Sequence, residues 1–150
     1  MSNPLTFTSK SSRFGLPFLF SGQAQKEFYI NEAHVLIDAL LHPVVEGSAD
    51  APPPQPRDGE CWIVGSNPTS DWLGHSQEIA CFQSGSWLFA TPPEGMRVFE
   101  RPTSVEMRYR NGWQSPVSIT SPSGGMNIDV EARAAISALL QALAAYGMIR

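Results

Sequence analysis

The sequence predicts an α+β protein, with an amphipathic helix near each end and a small antiparallel β domain of about six strands between them. Apolar residues follow a helical period at residues 32–41 and 128–147. Residues 60–119 instead consist of short aromatic and β-branched runs, separated by turn residues. A length of 150 residues is enough for one hydrophobic core without metals or disulfides.

Changes in composition divide the chain into six segments. The Ser/Thr-rich N-terminus is expected to be flexible, and the proline cluster is expected to be an extended spacer. The segments are a flexible arm (1–12), an N-terminal helical attachment or oligomerisation segment (13–47), a Pro-rich linker (48–59), the β domain (60–120), a hinge (121–127) and the C-terminal helix (128–150).

The first helix is predicted at residues 32–41, with Asn31 as its N-cap and Pro43 just beyond its end. The glutamine-rich stretch before it is too rich in amides to be core. Amide side chains donate and accept at once, so they can bind the backbone of a neighbouring subunit without adding charge. The alternative is a local turn network that only caps the helix. The predicted attachment contacts here are Gln23, Gln25, Lys26, Phe28, Asn31 and Glu32.

Two hairpins are predicted within the β domain. Ser84 and Gly85 form one turn and Asn111-Gly112 the other, and Asn-Gly is the favoured pair for a type I′ turn. In each hairpin an aromatic residue is expected to face a tryptophan across the two strands, which stabilises an antiparallel ribbon. The expected pairs are Phe82 with Trp87 and Tyr109 with Trp113.

The C-terminal helix is capped by Asn127 or Asp129 and ends at Gly147. Its apolar residues are spaced alternately by four and three, which is a heptad seam. They are Ala132, Ile136, Leu139, Leu143 and Tyr146. A seam this short cannot hold a coiled coil alone, so it packs either on its own domain or on other copies. Subunit contacts are predicted at Ile136, Leu139 and Leu143.

Composition excludes several classes of function. A formal charge of −4 argues against a nucleic-acid partner, which needs a dense cationic face. No apolar run approaches the roughly 20 residues of a membrane span, and the N-terminus lacks the apolar centre of a signal peptide. Cys61 and Cys81 are expected to be buried free thiols, with a bridge between neighbouring strands as the alternative.

Catalysis is disfavoured, and no metal or cofactor is predicted. The sequence contains no nucleophile elbow, phosphate loop, dinucleotide fingerprint or zinc-protease motif. Asp71, His75 and Glu78 share one loop and the strand after it, but a solvated polar loop is the simpler interpretation. Glu60, Glu78 and Glu94 leave open the alternative of a carbohydrate-active enzyme or its accessory glycan-binding module.

Aromatic residues are the remaining candidates for a binding site. Trp72 lies among polar turn residues, and an exposed tryptophan beside polar side chains suits a sugar ring. The alternative is a tryptophan that anchors its loop. The predicted glycan-binding residues are Asp71, Trp72, His75, Trp87 and Trp113.

The chain resembles domain-of-unknown-function family 2793, which occurs in bacteriophages, prophages and gene transfer agents. The resemblance covers residues 16 to 99. It rests on an ordered set of motifs: Gln23-Ala24-Gln25-Lys26, Asn31-Glu32-Ala33, the proline run before Asp58-Gly59, Trp72-x-Gly74, Ile79-Ala80, Gly85-x-Trp87-x-Phe89 and Pro93-x-Gly95.

The resemblance implies a structural protein of the virion, made in the bacterial cytoplasm and carried on the particle. Such a protein is expected to be a head spike, a spike base or a tail-fibre component, without enzymatic activity. It is expected to be a homo-oligomer, a trimer or pentamer, that contacts other virion proteins of the capsid, spike, fibre or baseplate. Adhesion to the host's capsular polysaccharide is a further expectation, and an assembly adaptor without a ligand is the alternative.

Overall fold

The computed structural model describes residues 9–20, 22, 26–125 and 129–149, and over these residues the protein is α+β. The predicted class, with a helix near each end, is confirmed. The described elements are α1 (Lys26–Leu40), β1 (Val44–Val45), β2 (Ser48–Ala49), β3 (Cys61–Val64), a short 3₁₀ helix (Ser70–Trp72), β4 (Ile79–Gln83), β5 (Ser86–Ala90), β6 (Arg97–Glu100), β7 (Val105–Tyr109), β8 (Trp113–Gln114) and α2 (Val130–Ala145). Within those ranges, no helix is long and apolar enough to cross a membrane.

The strands form two four-stranded sheets, in the orders β1-β6-β7-β8 and β2-β3-β4-β5. The prediction of about six strands is wrong, because β1 and β2 are too short to show a period in the sequence. Both pair in parallel, β1 with β6 and β2 with β3, so the sheets are mixed rather than purely antiparallel. The chain passes from the first sheet to the second at Gly47, where φ is 146°. Residues 48 and 49, assigned to the Pro-rich linker, therefore belong to a sheet.

The first predicted hairpin is confirmed. Ser84 and Gly85 have φ values of 52° and 83°, the positive pair that a type I′ turn requires. Phe82 lies directly opposite Trp87, with ring centroids 4.9 Å apart. The turn and the aromatic pair agree in register, and this explains why local sequence sufficed to predict them.

The second predicted hairpin, between β7 and β8, is present, but three residues (110–112) separate the paired Tyr109 and Trp113, rather than the two of the predicted type I′ turn. Asn111 has a φ of 52° and Gly112 one of 119°, and the Arg110 N–H donates to the Gly112 carbonyl. Tyr109 pairs with Trp113 edge to face, with ring centroids 5.3 Å apart. The hairpin places the indole of Trp113 at the boundary between the two sheets.

The main core lies between the two sheets and is closed at one side by α1. Side chains alternate between the two faces of a strand, so odd-numbered residues of β3 and β4 point inward. The buried residues of this core are Ala39, Val45, Cys61, Ile63, Ile79, Cys81, Val98 and Met107. A second cluster, formed by Val64, Trp72 and Ala80, covers the other face of the β2-β3-β4-β5 sheet. Both faces of that sheet are thus buried.

Helix α1 begins at Lys26, so the prediction that Asn31 caps a helix at residues 32–41 is wrong. Lysine and glutamate, here Lys26 and Glu27, are good helix formers, which favours extension of the helix upstream of Asn31. The Asn31 amide instead pairs with the backbone of Leu19. Its Oδ1 accepts from the Leu19 N–H at 2.8 Å, and its Nδ2 donates to the Leu19 carbonyl at 3.1 Å.

Asp38, buried within α1, holds the N-terminal segment against the helix. Its carboxylate accepts hydrogen bonds from the Ser11 hydroxyl (2.8 Å), the Arg13 N–H (2.8 Å) and the Phe14 N–H. Ser11 is itself buried, so the end of the predicted flexible arm is packed. Residues 1–8 of that arm lie outside the described residues.

Helix α2 is attached to the sheets mainly at its C-terminal end. The predicted cap at Asp129 is confirmed, because its carboxylate accepts from the Ala132 N–H at 2.8 Å, whereas Asn127 lies outside the described residues. The helix ends at Ala145, and Gly147, with a φ of 67°, lies just beyond its C-cap as the predicted stop. The Gly147 carbonyl accepts from the Glu106 N–H of β7. No residue between Val130 and Ala145 is buried.

Candidate functional site: a polar cleft between the sheets and two exposed helix faces

Trp72 is buried rather than exposed as a glycan-binding residue would be. Its side chain has no exposed surface and packs against Val64 and Ala80. The Trp87 ring meets it edge to face at 5.1 Å. The loop that carries Trp72 folds back over the sheet, and this long-range contact leaves no trace in the local polar sequence. Trp72 therefore anchors its loop, which is one of the two interpretations that the sequence allows.

The other predicted residues of that loop do not converge with Trp72 on one surface. Asp71 is exposed to solvent. The His75 ring lies flat on Phe89, with centroids 3.5 Å apart, and its Nδ1 is 2.7 Å from a Glu78 carboxylate oxygen. Thr91 donates to the second oxygen of Glu78 at 2.9 Å. This network joins the loop to Phe89 of β5 and to Thr91, the residue after β5.

No cluster of three His, Cys, Asp or Glu side chains that could hold a metal ion occurs among the described residues. The three glutamates considered as glycosidase carboxylates each have a different structural contact. Glu78 bonds His75 and Thr91, Glu94 accepts from the Asn111 N–H at 2.8 Å, and Glu60 lies 3.9 Å from the Arg57 guanidinium.

A polar cleft of about 480 Å³, here called the inter-sheet cleft, opens between the two sheets. It takes residues from β2, β3, β7 and β8 and from the loops that follow β2 and β3. Its lining residues are Ser48, Ala49, Asp50, Ile63, Gly65, Ser66, Asn67, Gln77, Met107 and Trp113. Trp113 is the one predicted glycan-binding residue that lies in this cleft, while Trp87 packs in the aromatic cluster on the other face.

Gln77 fixes Trp113 at the wall of the inter-sheet cleft. The Gln77 carbonyl accepts from the Trp113 Nε1–H at 2.9 Å, and its side-chain oxygen accepts from the Trp113 backbone N–H at 3.4 Å. The Gln77 N–H in turn donates to the Val64 carbonyl at the end of β3. With its N–H satisfied, the indole can offer a ligand only carbon surface.

Asp50 organises the opposite wall. Its carboxylate accepts from the Asn67 N–H at 3.0 Å, and its carbonyl accepts from the Thr69 N–H at 2.7 Å. Gly65 allows the Asp50 carboxylate to lie this close to the loop after β3, since a Cβ at residue 65 would lie 2.1 Å from Asp50 Oδ1. Sequence reasoning assigned residue 50 to a linker, so Asp50 was missed. Its signal is weak: a single acid before a proline cluster.

The chemistry of the inter-sheet cleft suits a neutral, hydroxyl-rich ligand. Two amides, two serine hydroxyls and one carboxylate offer both donors and acceptors around the Trp113 ring. A sugar presents hydroxyls at its edge and C–H groups on its face, which match polar groups beside an aromatic surface. Asn67 and Gln77 were also missed, because turn-forming stretches carry such residues for local reasons.

The second candidate surface consists of exposed apolar side chains on the two helices. On α1, Phe28 is 71 % exposed and Tyr29 78 %, and Leu36, Ile37, Leu40 and Leu41 line an apolar groove. On α2, Ile136 is 43 % exposed and Leu139 59 %. The predicted attachment residues Lys26 and Glu32 are exposed, Asn31 and Leu143 are half-buried, and Gln23 and Gln25 lie outside the described residues.

Comparison with known protein families identifies the family of the chain. A family model described as "Protein of unknown function (DUF2793)" matches residues 30–114, more than half of the chain. The matched region runs from α1 through the inter-sheet cleft to β8. No curated protein and no solved structure matches.

Proposed function

The chain belongs to the DUF2793 family, and from that premise we propose that it is a non-enzymatic structural component of a phage or phage-like particle. A head spike, a spike base or a tail-fibre component is the proposed form, with the particle as its location. The observation that carries the proposal is the unburied helix α2, which suits a subunit that completes its core by assembly.

Helix α2 has the composition of a buried helix. Glu131 and Arg133 are its two charged residues, and the remainder is largely alanine, leucine and isoleucine. An isolated helix of this length is marginal in water, and most helical stability in proteins comes from packing an apolar face. One side of α2 faces the segment that contains Ile119 and Ser121 across a groove, whereas Ile136 and Leu139 are exposed. We infer that other copies of the chain cover it, in a trimer or pentamer.

Light scattering on the purified protein tests the assembly. Wild type is expected to be a homo-oligomer, and Leu139→Glu is expected to shift it to monomer because it places a charge in the seam. Ala138→Glu is the matched control, since Ala138 is exposed one residue away but lies off the seam. A monomeric wild type, or equal effects of the two substitutions, would contradict assembly through α2.

Fractionation tests the particle. Particles purified on a density gradient from a producing strain are digested, and the peptides of this chain are quantified against a major capsid protein. We expect the chain to sediment with the particles and to disappear from them when its gene is deleted. Recovery only in the soluble fraction would contradict a structural role, whatever the oligomeric state.

A second candidate function, adhesion to host capsular polysaccharide, is favoured by the inter-sheet cleft. The cleft combines the carbon face of Trp113 with donors and acceptors from Asn67, Gln77 and Ser66. A spike that binds polysaccharide and an assembly adaptor without a ligand would form the same oligomer. Only ligand binding in the inter-sheet cleft distinguishes these two functions.

Binding of purified capsular polysaccharide from the host strain distinguishes the two. The Asn67 side chain lines the cleft, and Asn67→Ala leaves the backbone bond from its N–H to Asp50 in place. We expect this substitution to weaken polysaccharide binding about tenfold, the effect of one or two lost hydrogen bonds. Gln55→Ala, exposed in the proline-rich segment, is the control. Undiminished binding by Asn67→Ala would remove the cleft from consideration.

A further inference from the structure

Cys61 and Cys81 occupy directly opposite positions on β3 and β4. Both thiols are free and buried, as the sequence predicted, and their sulfur atoms are 3.4 Å apart. Two cysteines at one register position of a central strand pair can react with each other, whereas a single buried thiol cannot.

The backbone geometry of the pair suits a disulfide. The Phe82 N–H donates to Glu60 and the Val64 N–H donates to Glu78, which places Cys61 and Cys81 at a non-hydrogen-bonded position between them. Such pairs have Cα atoms about 4.5 Å apart, inside the disulfide range of about 4.4–6.8 Å. The sulfur atoms must approach by about 1.4 Å to reach the bond length of about 2.05 Å.

We propose that Cys61 and Cys81 are an oxidisable dithiol that a small hydroperoxide converts into a cross-strand disulfide within the folded sheet. A peroxide is little larger than water, so it can reach buried sulfur during small openings of the strands. This modification is independent of the proposed particle function and of the inter-sheet cleft.

The reaction proceeds in two balanced steps. The Cys61 thiolate attacks one peroxide oxygen, the O–O bond breaks, and Cys61 becomes a sulfenic acid. The hydroxide that leaves takes up the proton that the Cys61 thiol released, and it departs as water. The Cys81 thiol then attacks the Cys61 sulfur and displaces hydroxide, which its own proton converts to a second water. Two thiols and one hydrogen peroxide thus give one disulfide and two waters.

The environment assigns the first attack to Cys61. The hydrogen bond that Cys61 shares with Cys81 lowers the pKa of Cys61, burial opposes this, and the positive charge of Arg13 lowers it further. The pKa of Cys81 is raised, because the same hydrogen bond and burial both favour its protonated form. Asp38 and Glu46 are the negative groups that act against the Cys61 thiolate. Cys61 therefore reacts first and Cys81 resolves.

Thiol counting on the native protein tests the proposal. The folded chain is incubated with excess hydrogen peroxide for hours, quenched with catalase, denatured and alkylated, and its mass is measured. We expect alkylated thiols to fall from two to none and to return to two after dithiothreitol. Two alkylated thiols after peroxide treatment, or a loss that dithiothreitol does not reverse, would overturn the proposal.

Single substitutions test whether the reversible loss of thiols needs both cysteines. In Cys81→Ala, a sulfenic acid formed at Cys61 has no second thiol to resolve it, so dimedone added with the denaturant is expected to label it. In Cys61→Ala, no disulfide within the chain can form, so hydrogen peroxide is expected to cause no loss of the remaining thiol that dithiothreitol reverses. A reversible loss of the remaining thiol in a monomeric single variant would overturn the proposal. The thiol count on wild type stands even where a variant folds poorly.

Discussion

Replacing Trp72 with alanine is expected to lower the free energy of unfolding by about 3–5 kcal/mol, the usual loss when a buried tryptophan is truncated. Trp72 has no exposed surface and packs against Val64 and Ala80. Its edge-to-face contact with Trp87 contributes about 0.5–1.5 kcal/mol of that total. This expectation separates a tryptophan that anchors the loop from one that contacts ligand, because an exposed Trp72 would contribute little to stability.

Trp72→Phe refines the magnitude. The smaller ring keeps most of the contacts but leaves a void, at a loss of about 1–2 kcal/mol. It also removes the indole N–H, which is buried without a hydrogen-bond partner among the described residues. Removing an unpartnered buried donor recovers about 1–3 kcal/mol. The net change in the free energy of unfolding is therefore expected to lie between a loss of about 1 kcal/mol and a gain of about 2 kcal/mol.

Urea unfolding followed by far-ultraviolet circular dichroism measures both changes. The matched control is Leu73→Ala, since Leu73 follows Trp72 directly and is 73 % exposed. It is expected to change stability by less than about 0.5 kcal/mol. If Trp72→Ala and Leu73→Ala had similar small effects, the packing argument for the aromatic cluster would be refuted.

Three further substitutions test other contacts by the same unfolding assay. Asp38→Ala removes three hydrogen bonds that hold the N-terminal segment and is expected to lower the free energy of unfolding by about 3 kcal/mol. The control, Asp71→Ala on the exposed loop, is expected to change it by less than about 0.5 kcal/mol. Equal effects of the two substitutions would contradict the role of Asp38. Gly65→Ala is expected to lose about 1–3 kcal/mol through its clash with Asp50 Oδ1, and most of that loss should vanish in an Asp50→Ala background. Full additivity of these two changes would show that the clash is relieved elsewhere. Asn31→Ala breaks both bonds to Leu19 and is expected to speed proteolysis between residues 9 and 20, and unchanged cleavage would contradict that link.

Features that depend on neighbouring residues were predictable. The Phe82–Trp87 pair follows from a two-residue turn and the alternation of side chains along a strand, and the Asp129 cap follows from a local side-chain geometry. Each involves residues a few positions apart, so the sequence pattern and the final contact carry the same information. The family resemblance was likewise visible in the order of the motifs.

The sequence by itself therefore determined the α+β class, the facing pairs of the hairpins, the ends of α2 and the family. The tertiary structure decided which side chains are buried and which side chains contact each other. Trp72 looked exposed among polar neighbours, and it is buried because its loop folds over the outer face of a sheet. The inter-sheet cleft joins Asp50, Gln77 and Trp113, which lie far apart in the chain. Burial and convergence depend on the arrangement of whole strands, because long-range packing, rather than local propensity, determines which faces meet.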